Sequence, residues 1–205
     1  MGNSGLPHGL VDPKVFKEIF RNDLKEVLIG IHAKPKSGKD TLANYIVKKY
    51  SFLKYGPSFP VKETASTMFN VPINYFWDEN LKEEVIPYWN MSPRVMAQMV
   101  GTECSRNIFG NDFWMRHVEC KWKEILHQSR YQGMILADVR YENEVEWIKQ
   151  HEGVVIYLDR PDREELSTNT HPVDMGLPKE ICTHYIYNDG TKEELFAKAE
   201  EILLQ

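Results

Sequence analysis

The run Val27-Leu28-Ile29-Gly30-Ile31-His32 passes directly into Ala33-Lys34-Pro35-Lys36-Ser37-Gly38-Lys39-Asp40-Thr41, and this junction constrains the chain more than any other feature. Apolar residues that do not alternate with polar ones read as a strand covered on both faces. After the loop, Leu42, Ile46 and Val47 fall on one side of a helix. Strand, loop and helix in that order come close to G-x-x-x-x-G-K-[ST]. In that pattern backbone N–H groups and a helix N-terminus surround phosphate oxygens, and the lysine reaches the outer ones. Without the flanking elements, the same residues would read as a lysine-rich surface turn. Ala33 stands where the first glycine is expected, so a turn there would lack cheap positive φ. Pro35 removes one N–H donor. Asp40 takes the place of the usual metal-binding hydroxyl, which leaves Thr41 or Asp40 itself for that task.

Met134 to Ala137 and Val154 to Leu158 are further non-alternating runs, and His184 to Asn188 is a fourth strand candidate. Helical patterns lie between them at Lys39 to Tyr50, Pro93 to Arg106, Asp112 to Ser129, Glu142 to Gln150 and Thr191 to Leu204. Ser92-Pro93 and the capping box Thr191-Lys192-Glu193-Glu194 mark two of the starts. This alternation predicts a doubly wound α/β fold, whose ligands sit at the carboxyl ends of parallel strands. An additional amphipathic helix is expected at 13 to 25, after Asp12-Pro13.

The 205 residues allow one domain with large inserted loops. With 25 Lys+Arg against 30 Asp+Glu the net charge is −5, so no whole-molecule field favours a nucleic acid polymer or an anionic membrane. An anionic ligand needs a local basic site. Cys104, Cys120 and Cys182 are odd in number and widely spaced, which points to a reducing compartment. No apolar run approaches the ~20 residues of a membrane helix, and the first residues lack a signal-peptide pattern. The expected location is cytoplasmic. His117 and Cys120 with Cys182 and His184 could in principle hold zinc, but their spacing is not that of a zinc finger.

Asp138-Val139-Arg140 follows the strand at 134–137. An acid at that point can orient Mg²⁺ beside a phosphate loop, or merely cap the next helix. Arg94 and Gln98 lie four residues apart, with Gly101 at i+7 leaving a gap on the same polar face and Val95, Met96, Met99 and Val100 opposite. Phe59, Phe113 and Trp114 are aromatics that a base could stack on, whereas Trp77, Trp89, Trp122 and Trp147 read as packing.

Taken together and in order, these segments resemble the deoxynucleoside monophosphate kinases of tailed bacteriophages, within the P-loop nucleoside-monophosphate kinases. The resemblance rests on Ser37-Gly38-Lys39-Asp40-Thr41, Ser58-Phe59-Pro60-Val61-Lys62-Glu63, Ser92-Pro93-Arg94 through Gln98 to Gly101-Thr102, Arg106, Asp112-Phe113-Trp114, Asp138 to Glu144, His171-Pro172 and Asn188-Asp189-Gly190-Thr191. It implies a three-layer P-loop kinase fold with a central parallel sheet flanked by helices, plus a monophosphate-binding insertion and a lid. Residues 1–26 would be an N-terminal extension and 27–205 the kinase domain, with acceptor binding at about 56–130 and a lid at about 160–182.

The implied reaction moves the γ-phosphoryl group of ATP, with Mg²⁺, onto a 2′-deoxynucleoside 5′-monophosphate. An acceptor phosphate is already ionised near neutral pH, so arginines that position and neutralise matter more than a general base. Donor and loop contacts are assigned to Lys34, Lys36, Ser37, Gly38, Lys39, Asp40, Thr41, Arg160 and Arg163. Acceptor contacts are assigned to Phe59, Lys62, Arg94, Gln98, Gly101, Thr102, Arg106, Trp114, Asp138, Arg140, Asn143 and Glu144. Catalysis falls to Lys39, Arg94, Arg106, Asp138 and Arg140, and Mg²⁺ to Asp40, Thr41 and Asp138. The implied partners are small nucleotides, without membrane or nucleic acid polymer, and a homodimer is admitted. The rival readings are a P-loop kinase for another small phosphate such as phosphomevalonate, and a non-catalytic nucleotide-binding module.

Overall fold

The computed structural model describes residues 27–127, 130–160 and 176–203. The helix expected at 13 to 25, and Arg163, His171, Pro172 and most of the expected lid, lie outside the described residues. In chain order the elements are β1 (Val27–Ala33), α1 (Lys39–Tyr50), β2 (Phe52–Lys54), α2 (Ser58–Phe69), α3 (Asn74–Trp77), a 3₁₀ turn (Leu81–Glu83) and α4 (Pro93–Gln98). A π-helix (Met99–Arg106) follows, then α5 (Asn107–Phe109), α6 (Phe113–Leu126), β3 (Gly133–Leu136), α7 (Glu142–Gln150), β4 (Val154–Asp159), a 3₁₀ turn (Lys179–Ile181), β5 (His184–Tyr187) and α8 (Lys192–Leu203). They form two compact units, one of residues up to Lys54 together with those from Trp122 onward, the other Tyr55–Lys121.

The first unit is built on a five-stranded sheet in the order β2-β3-β1-β4-β5, with every pairing parallel. Ile29 pairs with Ile135 and Ile31 with Ile156, so these side chains share one face. They pack with Leu42 and Ile46 of α1 and Leu195 and Ala199 of α8 in a single core cluster. Leu28, Met134, Leu136 and Val155 point the other way and are equally buried, which is why the strands carry no alternation. On that face a Cβ at Gly30 would lie 2.5 Å from Ile148 Cδ1 of α7. Glycine is what lets α7 come that close to β1. Apolar strands and amphipathic helices are thus layered helix–sheet–helix, as the alternation predicts. β2 has no counterpart in the sequence reading, since three residues are too few to show a pattern.

The second unit is helical around a core of Ala65, Phe69, Val71, Phe76, Met96, Val100 and Trp114. α4 starts where Ser92-Pro93 predicts: Ser92 Oγ accepts the Val95 N–H, with proline at the first turn. The helix expected to run regularly to Arg106 does not. From Met99 it widens to the i→i+5 pattern, so Gly101 does not stand at i+7 on the Arg94–Gln98 face. The apolar face expected opposite them is split. Met96 and Val100 are buried, whereas Val95 and Met99 are exposed.

Candidate active site

Ala33 is the last residue of β1, in register with Leu158, and the left-handed residues of the loop are Lys36 (φ 63) and Gly38 (φ 99). This corrects the expectation of an awkward turn at Ala33. The chain stays extended there and turns three residues later, so an alanine costs nothing. The strain sits on Lys36, at about 1–2 kcal/mol for a residue with a Cβ. Lys34, Pro35 and Lys36 are exposed, while Ser37 is buried. Gly38 caps α1, its carbonyl accepting the Leu42 N–H at 2.9 Å. Asp40 and Thr41 follow in the first turn.

β1 and β3 are neighbours in the sheet, so Lys39 and Asp138 are delivered to the same end of it. Lys39 Nζ stands 3.8 Å from Asp138 Oδ1 and 3.1 Å from Asp40 Oδ2. Asp138 Oδ2 also accepts from Arg140 Nε at 2.8 Å. One carboxylate therefore sits between two cations. Asp40 has a second partner in Lys54 at 2.8 Å. Partial enclosure would raise the Asp40 pKa, but the Lys54 hydrogen bond and the Lys39 charge outweigh it and hold the carboxyl below its ordinary range.

Asp138, Asp40 and Thr41 are hard oxygen donors of the kind Mg²⁺ takes. No group of three or more His, Cys, Asp or Glu among the described residues forms a ready metal cage, which includes the His117, Cys120, Cys182 and His184 set. One or two carboxylates at a phosphate site suit Mg²⁺, which keeps waters and shares its shell with phosphates.

The turn after β3 is fixed from both sides. Val139 N–H donates to Ile31 O at 3.0 Å, and Arg140 N–H donates to the buried Glu144 carboxylate at 2.8 Å. Asn143 stands beside Glu144 in the first turn of α7. His32, 6% exposed, links β1 to two segments: its Nδ1 is 2.7 Å from Val139 O and its Nε2 accepts Leu177 N–H at 3.1 Å. Since Nε2 accepts, the proton is on Nδ1 and the ring is neutral. Burial pushes the His32 pKa down. Arg160 directly follows β4.

In the second unit, Arg94 at the start of α4 donates through Nε to Glu83 Oε1 at 2.7 Å, and this contact holds the Glu83 carboxyl below its ordinary range. Gln98 is half-buried one turn on, and Gly101 and Thr102 lie in the π-helix. Arg106 is buried and donates to Asn111 O at 2.7 Å. Trp114, expected to offer a ring to a base, is 2% exposed with its indole N–H donated to Gly101 O at 2.9 Å. Its ring belongs to the core of this unit. Trp77, expected to be packing, is instead 40% exposed, with Phe59 against its ring (centroids 4.8 Å apart) and Lys62 Nζ 3.6 Å from its centroid.

Lys54, His32, Glu83 and the Asn188 side chain escaped the sequence reading as site residues. Asn188 and His32 lie at or just beyond strand ends, where a polar side chain was the available signal. Lys54 and Glu83 carried none, since each is brought in by an element too short to leave a periodicity.

A family model described as deoxynucleotide monophosphate kinase matches residues 72–199. A putative deoxynucleotide monophosphate kinase of Acanthamoeba polyphaga mimivirus is 26% identical over 183 residues, covering 84% of this chain and 93% of its own. The deoxynucleotide monophosphate kinase of Enterobacteria phage T4 is 24% identical over 239 residues, covering 86% and 98%. Among solved structures, shikimate kinase from Aquifex aeolicus vf5 matches with a TM-score of 0.44 and 13% identity over 86% of this chain and 96% of that one.

Proposed function

The chain belongs to the deoxynucleotide monophosphate kinase family, and on that premise we propose that it transfers the γ-phosphoryl group of ATP to the phosphate of a 2′-deoxynucleoside 5′-monophosphate, giving the diphosphate. The observation that carries this reading is Lys39 at the head of α1, 3.8 Å from Asp138, with Arg140 on the other oxygen of that carboxylate. Two cations around one acid at the end of a phosphate loop suit a reaction whose charge builds on non-bridging oxygens.

In the proposed mechanism the amides of residues 36–41 and the N-terminus of α1 hold the triphosphate, with Lys34, Lys36 and Arg160 adding charge at the rim. Lys39 neutralises charge across the β and γ phosphates. Asp138, Thr41 and Asp40 would hold Mg²⁺, which would supply positive charge against the charge that develops on the phosphate in the transition state. Arg140 swings between Asp138 and the incoming phosphate. Arg94 grips the acceptor phosphate bidentately, with Lys62 and Arg106 contributing positive charge. Gln98, Phe59 and Thr102 contact sugar and base. Gly101 leaves room beside them, and Trp114 sets its carbonyl. Asn143 and Glu144 keep the Arg140 turn in place. No side chain has to remove a proton, because the attacking oxygen is already an anion. The acceptor-binding part is assigned to residues 56–130 and a closing lid to 160–182.

The test is a panel of the four deoxynucleoside monophosphates with matched ribonucleotides, each with ATP and Mg²⁺, followed by release of ADP. Transfer to deoxynucleotides supports the reading. ATP binding without turnover on any of them, or turnover only with a non-nucleotide phosphate such as phosphomevalonate, would sink it.

A further inference from the structure

We propose that Asn188 is a positioning residue for the phosphate loop, holding the Ser37 carbonyl so that the Gly38 N–H is turned into the loop to meet a nucleotide phosphate. The proposal rests on reading residues 33–41 as the ATP-binding loop, and adds a role that the motif itself does not contain.

Asn188 directly follows β5, 151 residues from Ser37 in sequence, and is 6% exposed. Its own N–H is committed to Asp159 O at 2.7 Å, which fixes the backbone at the sheet edge. From there the side-chain Nδ2 donates to Ser37 O at 2.9 Å. Only the nitrogen end of an amide can face a carbonyl, so chemistry settles the orientation of this side chain. Ser37 is 2% exposed, and Asn188 supplies its carbonyl with a donor inside the protein.

The consequence runs through peptide geometry. In a trans peptide the carbonyl and the following N–H point in opposite directions, and the described residues contain no cis bond. Pinning the Ser37 carbonyl toward Asn188 therefore aims the Gly38 N–H away from Asn188. The two residues also fit each other sterically. A Cβ at Gly38 would lie 2.9 Å from Asn188 Nδ2, so a side chain there would press on the very amide that holds the Ser37 carbonyl, besides being strained at a φ of 99°.

The anchor is itself braced. Lys198 Nζ donates to Tyr187 O at 2.7 Å and pairs with Asp189 at 3.1 Å, and Thr191 opens α8 through a reciprocal cap with Glu194. An aspartate at 188 would set oxygen against oxygen, and an alanine would leave the carbonyl free to rotate.

The experiment compares wild type, Asn188→Ala and Asn188→Asp by calorimetric titration with MgADP and, separately, with a deoxynucleoside monophosphate, alongside the ¹⁵N–¹H resonance of Gly38. The expected result is MgADP affinity weakened about tenfold by alanine and further by aspartate. Monophosphate affinity should stay within about twofold of wild type on the same scale. The Gly38 resonance should move in both variants before any nucleotide is added. Unchanged MgADP affinity, or equal loss for both ligands, would overturn the proposal, since a general packing role does not choose between them. If alanine prevents folding, Asn188→Leu, close in size and without a donor, carries the same comparison. Wild type that binds MgADP but transfers nothing to deoxynucleotides defeats the kinase reading while leaving the Asn188 comparison decisive. Wild type that does not bind MgADP defeats both.

Discussion

Lys39 is held with its ammonium among carboxylates rather than pointing into solvent, and its side chain is only 19% exposed. A cation preset in this way loses little freedom when it meets phosphate, and its value lies in the transition state. Lys39→Ala should lower kcat about 10²–10³-fold with little change in monophosphate binding, read by steady-state kinetics with each substrate varied in turn. Ala33 makes the opposite prediction. Because its backbone is extended, Ala33→Gly should not improve ATP affinity and should lower stability by about 0.5–1 kcal/mol in denaturant melts. His32 supplies a pH signature. Its folded pKa lies below the ordinary value of 6.5, so the unfolded chain takes up a proton first as pH falls, and stability drops below neutrality. Asp138 and Arg140 are the charges that act on it, in opposite senses. Melting temperatures from pH 7.5 to 5.5 should fall in wild type, and His32→Gln should flatten that slope. Lys39 and Asp138 were legible in the sequence because a strand end and a loop place them wherever the sheet goes. Lys54, Glu83 and the contact made by Asn188 were not, because each depends on which strands or turns become neighbours, and that is decided by packing far away in the chain.

At the level of elements, local chemistry was read well where it is self-contained. The expected capping box is present: Thr191 N–H donates to Glu194 Oε2 at 2.7 Å and Glu194 N–H to Thr191 Oγ1 at 3.2 Å. Glu194→Ala should cost about 1 kcal/mol in chemical denaturation. α1 and α7 have the bounds that their apolar spacing implies, since their buried stripes face the sheet and keep a helical period. α2 leaves no clear helical pattern in the sequence, because Pro60 with Thr64, Ser66 and Thr67 dilutes its apolar stripe. The change to a π-helix at Met99 was equally hidden. An i→i+5 segment has no distinct residue code, and its reason lies in contacts such as the Trp114 indole reaching the Gly101 carbonyl.

Across the whole molecule, the absence of a three-ligand acidic or histidine cluster among the described residues separates metal from stability. A chelator should stop phosphoryl transfer yet leave the melting temperature of the nucleotide-free protein unchanged. MgATP at about a hundred times its Kd should add about 2.7 kcal/mol, measured by scanning calorimetry, and Lys39→Ala should keep most of that increment, because the lysine acts chiefly in the transition state. The layered fold itself was legible from composition by position, because strands covered on both sides must be apolar throughout. The order of strands was not. That order has a consequence for synthesis. β1 is made first yet occupies the middle of the sheet, between partners beginning at Gly133 and Val154. A growing chain therefore carries Val27 to Ala33 out of the ribosome as a greasy ribbon with both edges bare for more than a hundred residues of translation. The central strand can close its ladders on both sides only once the chain has been made past Val154.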